Sequence, residues 1–200
     1  RPGNFKLWNC RNVRISGITI RNACNWVQTY TLCDGLTLDS IRVESDDYWN
    51  NDGIDVVDCR NVRITHCYVN SADDGICLKS QNGREHWNED VYIADCTVRS
   101  SASAIKFGTA GYGGFKNVRI RRIRVFDTFR SALALECVDG GDLENIDVDS
   151  ISAVNTGDGI FIRLGHRNKD AHIGTLRNVT IRNVHVEIPY DRPDKNYDLR

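Results

Sequence analysis

One short pattern returns so often along these 200 residues that it restricts the chain to a few architectures. Alternating polar and apolar runs recur from end to end: Asn12-Val13-Arg14-Ile15, Leu36-Thr37-Leu38, Asn61-Val62-Arg63-Ile64, Asp90-Val91-Tyr92-Ile93, Asn117-Val118-Arg119-Ile120, Asn145-Ile146-Asp147-Val148 and Asn178-Val179-Thr180-Ile181. Their spacing of about 24 to 33 residues is the range of solenoids and propellers. A period of two with no 3.6-residue apolar stripe predicts strands and excludes a helical repeat. Asparagine where so many strands begin fits tight corners, because its side chain tolerates left-handed backbone and bonds to neighbouring main chain.

A second strand family runs between the first and aligns on a small residue. Its members are Gly53-Ile54-Asp55-Val56, Gly75-Ile76-Cys77-Leu78, Ala104-Ile105-Lys106-Phe107, Ala132-Leu133-Ala134-Leu135 and Gly159-Ile160-Phe161-Ile162. Strands such as Gly17-Ile18-Thr19-Ile20, Ile41-Arg42-Val43, Cys67-Tyr68-Val69 and Val184-His185-Val186 supply a third face. Three short strands per coil predict an all-β, parallel β-helix over residues 1–200, with 188–200 as a polar, Pro-broken tail leaving the helix. A propeller is the runner-up, but its blades need hairpins, and two-residue Asn-Gly or Asp-Gly turns are not found between strand pairs. Neither end reads as a cap, so an excerpt of a longer chain is expected.

Composition narrows the function. A 40% hydrophobic content suffices for one core, and 26 basic against 27 acidic residues argues against a nucleic-acid partner. No apolar run approaches the roughly 20 residues of a membrane span. Eight cysteines, evenly spread and without a CxxC pair, read as small buried side chains stacked in the core rather than as metal ligands or disulfides.

With the aligned small residue as a ruler, acidic and basic side chains gather on two neighbouring coils. Asp52 and Asp74 stand just before it, Asp73 two before, Asp55 and Lys106 two after, and Lys79, Glu136 and Arg163 four after. Alternation sends the even offsets away from the core, which predicts a charged band on the outer face. An Asp-Gly pair alone is an ordinary turn, and Asp158-Gly159 is read as one. Three acids on successive coils beside Lys79 and Lys106 instead form a candidate acid–base site, where repulsion raises one pKa and a cation lowers another.

The stretches Asn50-Asn51-Asp52-Gly53-Ile54-Asp55 and Ala72-Asp73-Asp74-Gly75-Ile76-Cys77-Leu78-Lys79-Ser80 resemble the paired motifs of glycoside hydrolase family 28, the polygalacturonases and rhamnogalacturonan hydrolases. Arg1-Pro2 also looks like the Arg-Pro before an early strand of that family. The resemblance implies a right-handed parallel β-helix that is exported, secreted or periplasmic, and hydrolyses pectin-type glycan with inversion and no cofactor or metal. It further implies that Asp74 is the general acid, while Asp52 and Asp73 hold the attacking water. A polysaccharide or oligosaccharide substrate and a monomeric state are expected, with no nucleic-acid or membrane partner.

Three positions depart from the family pattern. Its Gly-His-Gly is replaced by Ala102-Ser103-Ala104, its Arg-Ile-Lys by Ala134-Leu135-Glu136, and its late tyrosine falls near His166. A galacturonate in that subsite would meet Glu136, which argues against ordinary endo-polygalacturonase activity on a pectic or rhamnogalacturonan-type substrate. Asp55, Lys79, Lys106, Tyr112, Glu136, Arg163 and His166 are the candidate substrate contacts. The Gly-rich loop Ala110–Phe115 offers Tyr112 for sugar stacking or serves as a flexible connection, a loop from Gln81 to Asp90 with His86 and Trp87 walls one end of a cleft, and Tyr48-Trp49 lies at its edge. Trp8 and Trp26 are read as packing residues. A walled cleft suits exo action. The competing functions are a Ca²⁺-dependent polysaccharide lyase on the same scaffold and a non-catalytic glycan-binding β-helix.

Overall fold

The computed structural model describes residues 4–167 and 172–188; the Arg1-Pro2 pair and the tail after 188 lie outside them. Among the described residues all strand pairing is parallel apart from one isolated bridge, Asp139 to His166, which removes the propeller alternative. The first sheet stacks β1 (Phe5–Trp8), β4 (Gln28–Thr31), β7 (Ile54–Val57), β10 (Ile76–Ser80) and β13 (Ile105–Gly111). The second stacks β2 (Arg11–Ser16), β5 (Asp34–Asp39), β8 (Arg60–Thr65) and β11 (Asn88–Ala94), and the third β3 (Thr19–Arg21), β6 (Arg42–Ser45), β9 (Tyr68–Ser71) and β12 (Thr97–Ser100). Later coils run through the corners as the long strands β14 (Gly114–Cys137), β15 (Asp142–Leu164) and β16 (Leu176–Glu187). Among the described residues no helix is long and apolar enough to cross a membrane.

The five aligned rungs pair as expected: Ile54 with Ile76, Ile76 with Ile105, Ile105 with Leu133 and Leu133 with Ile160. Inward side chains stack on their own kind from coil to coil, Leu36, Val62, Val91, Val118 and Ile146 in one column and Leu38, Ile64, Ile93, Ile120 and Val148 in the next. Each such buried aliphatic contributes roughly 1.5–3 kcal/mol, so the core is a continuous rod. Corners are set by left-handed asparagines, with φ of 52° at Asn12, 54° at Asn61 and Asn117, 56° at Asn145 and 55° at Asn178. Their amides also form a ladder, Asn178 Nδ2 donating to Asn145 Oδ1 and Asn145 Nδ2 to Asn117 Oδ1.

On the outer surface of the second sheet, one column alternates strictly in charge: Arg11, Asp34, Arg60, Glu89, Lys116, Glu144 and Arg177 stand side by side on consecutive strands. Trp87 lies under this column, with Arg60 and Lys116 over its ring and its Nε1 donating to Glu89. Trp87 is therefore tied down on the second sheet. The segment expected to be a loop through Asp90 ends earlier, because β11 begins at Asn88. Asn88 is buried and bonds the backbone of Cys59, Val56 and Lys79, a demand that fixes its strand position.

All eight cysteines are free thiols, and Cys33, Cys59, Cys67, Cys96 and Cys137 do stack in the core. Cys24 is exposed and Cys77 faces away from the core, so the core reading fails for those two. Trp8 is 64% exposed and does not pack as expected. The Gly-rich loop is a fastened corner rather than a flexible link, since the Gly113 and Gly114 N–H groups both donate to Ser80 Oγ, which in turn donates to the carbonyl of His86.

Candidate active site

The site forms where β7 and β10 begin, because the first residues of each strand are drawn tightly against the next coil. A Cβ on Gly53 would come within 2.4 Å of Val69 Cγ1 and 2.7 Å of the Gly75 carbonyl. One on Gly75 would meet Val98 Cγ1 at 2.4 Å and the Ala104 carbonyl at 2.5 Å. Only glycine permits this approach. It brings the residues just before each glycine into contact across one rung.

Buried polar groups pin the turns that carry the acids. Asn51 Nδ2 donates to the carbonyls of Ala23 and Asn25, and its Oδ1 accepts from Ser45 Oγ. Gln28 Nε2 donates to the Gly53 carbonyl. On the next coil Ser71 and Ser100 both donate to the Asp73 carbonyl, and the Ser103 N–H donates to Asp74 Oδ1 at 3.1 Å. Ser103 thus reaches the site through its backbone. Asn51, Ser45 and Ser103 N–H escape a sequence reading, since a polar residue in a turn looks alike whether it is solvated or buried.

Carboxylate oxygens of Asp52, Asp73 and Asp74 lie within 4.8 Å of one another. Beneath them is a second group. Lys79 Nζ donates to Asp52 Oδ2 at 2.8 Å and to Cys77 Sγ at 3.0 Å, and lies 3.2 Å from Asp55 Oδ1. The amine occupies the centre of the Asp52, Asp55 and Cys77 donor set, where a divalent cation would otherwise sit. The indole of Trp26 closes this nest, with Lys79 Nζ 4.7 Å from its ring centre. Trp26 is therefore a lid on the charged cluster and not core packing; no periodicity marks it, because it precedes β4 in a loop.

The expected outer band of charge is thus corrected: these side chains point away from the rod, yet Asp55, Lys79 and Lys106 are buried, the first completely. Asp55, expected as a substrate contact, is fully buried beside Lys79. Cys77 shares its row with Asp55 and Lys106, a position the rung alignment already contained. Lys106 is ion-paired to Glu136, so the glutamate of the altered subsite is neutralised from the neighbouring strand. Arg163 stands beside Glu136 in register and is exposed, as is His166 beyond it. Tyr112 is half-buried at the fastened corner after β13. Trp49 is 68% exposed beside the Asp52 turn.

Burial and the neighbouring charge of Asp55 push the Asp52 carboxyl well above the usual range, against the pull of Lys79. Burial resists the Lys79 charge, but Asp52, Cys77 and Asp55 outweigh it and raise its pKa. Burial likewise raises the Cys77 thiol. Asp55 is pushed up to about 6 from 3.8, chiefly by burial. A raised pKa means that the folded chain holds a proton which the unfolded chain has lost. Stability from this group is present below pH 3.8 and lost as pH rises through about 6. Asp55→Asn cannot ionise. Its urea midpoint should gain on that of the wild type between pH 4 and pH 7, and a constant difference would refute the burial account.

The model of glycosyl hydrolases family 28 matches residues 1–189. The chain belongs to that family. A probable polygalacturonase of Vitis vinifera is 27% identical to this family 28 chain over 170 residues, 82% of the chain and 29% of that protein. A polygalacturonase of Juniperus ashei is 22% identical over 199 residues, covering 92% and 38% respectively. The chain therefore spans about a third of the length of these curated relatives. Among solved structures, the family 28 exopolygalacturonase of Yersinia enterocolitica superposes with a TM-score of 0.72 at 14% identity, over 88% of this chain and 33% of that one. The hyperthermoactive exopolygalacturonase of Thermotoga maritima gives 0.54 at 17% identity, over 92% and 55%. At these identities the two structures speak for the shared β-helix alone.

Proposed function

We propose that this chain carries the catalytic coils of a glycoside hydrolase acting on pectic polysaccharide. The observation that carries the reading is the Asp52, Asp73 and Asp74 trio within 4.8 Å on adjacent coils of a family 28 solenoid. Three carboxylates this close can together supply the proton that the reaction needs. Asp74, oriented by the Ser103 N–H, delivers that proton to the departing glycosidic oxygen. Asp52 has one oxygen fastened to Lys79 and the other, Oδ1, buried without a donor. That second oxygen is the natural acceptor for a water, shared with Asp73. Lys79 pulls Asp52 toward its charged form, the one that can accept a proton from the water, and is left with less negative charge beside it once that proton has moved.

The acids lie closer together than the roughly 6.5–9.5 Å usual for inverting enzymes. Inversion is therefore proposed from the family resemblance, with the water held at the Asp52 and Asp73 end of the cluster. Specificity is read from Glu136. Paired with Lys106, it presents one acceptor and one donor to sugar hydroxyls and leaves that lysine no surplus charge for a free carboxylate, which favours a neutral sugar in that subsite, as in a rhamnogalacturonan-type backbone. The exposed Tyr48 and Trp49 beside the acids favour attack at chain ends. Export and a monomeric state complete the proposal.

Defined oligogalacturonides and rhamnogalacturonan oligosaccharides, followed by NMR from the first turnover, test all of this. The expected result is hydrolysis with the opposite anomer formed first and the alternating substrate preferred, and Glu136→Gln should raise activity on the pure galacturonide. Retention would remove the inverting mechanism. An unsaturated product that needs Ca²⁺ would replace the hydrolase with a lyase.

A further inference from the structure

The second sheet carries arginines that neither the fold nor the candidate active site uses. Arg14, Arg63 and Arg119 occupy one outward column, separated by Thr37 and Tyr92 on the strands between them. All three are exposed, and none makes an ion pair with a carboxylate of the described residues. The guanidinium carbons of Arg63 and Arg119 lie 4.6 and 5.4 Å from the Tyr92 ring centre, one from each flanking strand. Stacking on an aromatic face fixes a guanidinium without consuming its N–H donors. The pair is thus held in place with its hydrogen bonds unspent. A carboxylate partner would have spent them.

A groove of about 530 Å³ opens beside this column, bordered by Arg119, Tyr92 and the amides of Asn117, Asn145 and Asn178. Asp147, which stands beside Arg119 in register on the next strand, is already bound by Arg121 at 2.6 Å and Arg182 at 3.1 Å; Asp90 also borders the groove. Guanidinium groups recognise carboxylates in a bidentate fashion, and amides recognise hydroxyls. Both chemistries meet in a polyuronate. The arginines recur on alternate strands, roughly 9.6 Å apart at two strand spacings. A pyranose with its bridging oxygen advances a chain by close to one strand spacing, so a polyuronate lying along the rod would present a carboxylate to each arginine at every second sugar.

We infer that the outer face of the second sheet is a non-catalytic binding surface for de-esterified polygalacturonate, with Arg63 and Arg119 as its anchors and Arg14 extending it. The choice of polymer rests on the pectic reading above; the surface itself does not. Affinity electrophoresis through gels containing de-esterified polygalacturonate tests it, with Asp74→Asn protein so that the polymer stays intact. Strong retardation is expected, weakened about tenfold or more when Arg63→Gln and Arg119→Gln are added, with little retardation by fully methyl-esterified pectin. The double arginine variant of the otherwise native protein should keep its activity on short oligosaccharides and show a raised KM on polymer. Unchanged retardation after both substitutions overturns the proposal, as does equal retardation by duplex DNA, which would show a response to charge alone. Arginine-dependent retardation in a protein that hydrolyses no pectic substrate upholds this surface and rejects the hydrolase reading.

Discussion

Asp74→Asn should lower turnover of a pectic glycan by roughly 10²–10⁴-fold while leaving the fold and ligand binding in place, because a general acid contributes about that much. The carboxamide keeps the Oδ1 acceptor that the Ser103 N–H needs, so the turn has no reason to move. The informative comparison uses a synthetic glycoside with an activated aryl leaving group, which departs without protonation. On that substrate Asp74→Asn should lose far less, whereas Asp52→Asn, which weakens the water's acceptor, should lose heavily on both. Equal losses by both variants on both substrates would strip Asp74 of its role as the acid.

Lys79→Met should be the most destabilising single substitution in the site. It leaves Asp52 and Asp55 buried without their cation, a change that costs about 3–5 kcal/mol when one member of a buried pair is removed. The sign with pH is fixed. Stranded carboxyls bind protons in the folded state that the unfolded chain releases near pH 3.8, so the variant is least handicapped in acid and loses ground as pH rises. Urea midpoints at pH 5 and pH 7.5 decide it: a deficit that is small, or equal at both, would show that the nest does not depend on the amine. Retention of the circular dichroism spectrum at pH 5 separates loss of stability from failure to fold.

The architecture is legible in the sequence because a β-helix repeats its physics once per coil. Asn145 between Asn117 and Asn178, or Ile105 between Ile76 and Leu133, announces a corner or a rung by position alone. The same alignment locates Asp52, Asp73 and Asp74 and puts Lys106 and Glu136 on the same charged face. Depth is not legible. Alternation tells which way Asp55 and Lys79 point, but not that Trp26, from a loop two coils before β10, lies over them. For the same reason Cys77 reads as a core residue: its row is evident, and a small thiol among carboxylates looks no different in sequence from one among valines. Trp87 misleads in the opposite sense, since a loop tryptophan suggests a cleft wall while the Arg60 and Lys116 cations already claim its ring.

The alternating column on the second sheet bears on how such a chain avoids assembling wrongly. Near-identical coils invite a strand to pair with the wrong neighbour, and Cys-Arg-Asn-Val-Arg-Ile occurs at both 10–15 and 59–64. In the native stack each of Arg60, Glu89, Lys116 and Glu144 lies between two opposite charges. Skipping one coil would set Arg11 against Arg60 or Glu89 against Glu144, and like charges on directly paired positions are unfavourable by a few tenths of a kcal/mol to about 1 kcal/mol. Each such charge adds little to the finished rod. Taken in sequence, they act as a parity check that lets a coil dock on its true predecessor and rejects the one before.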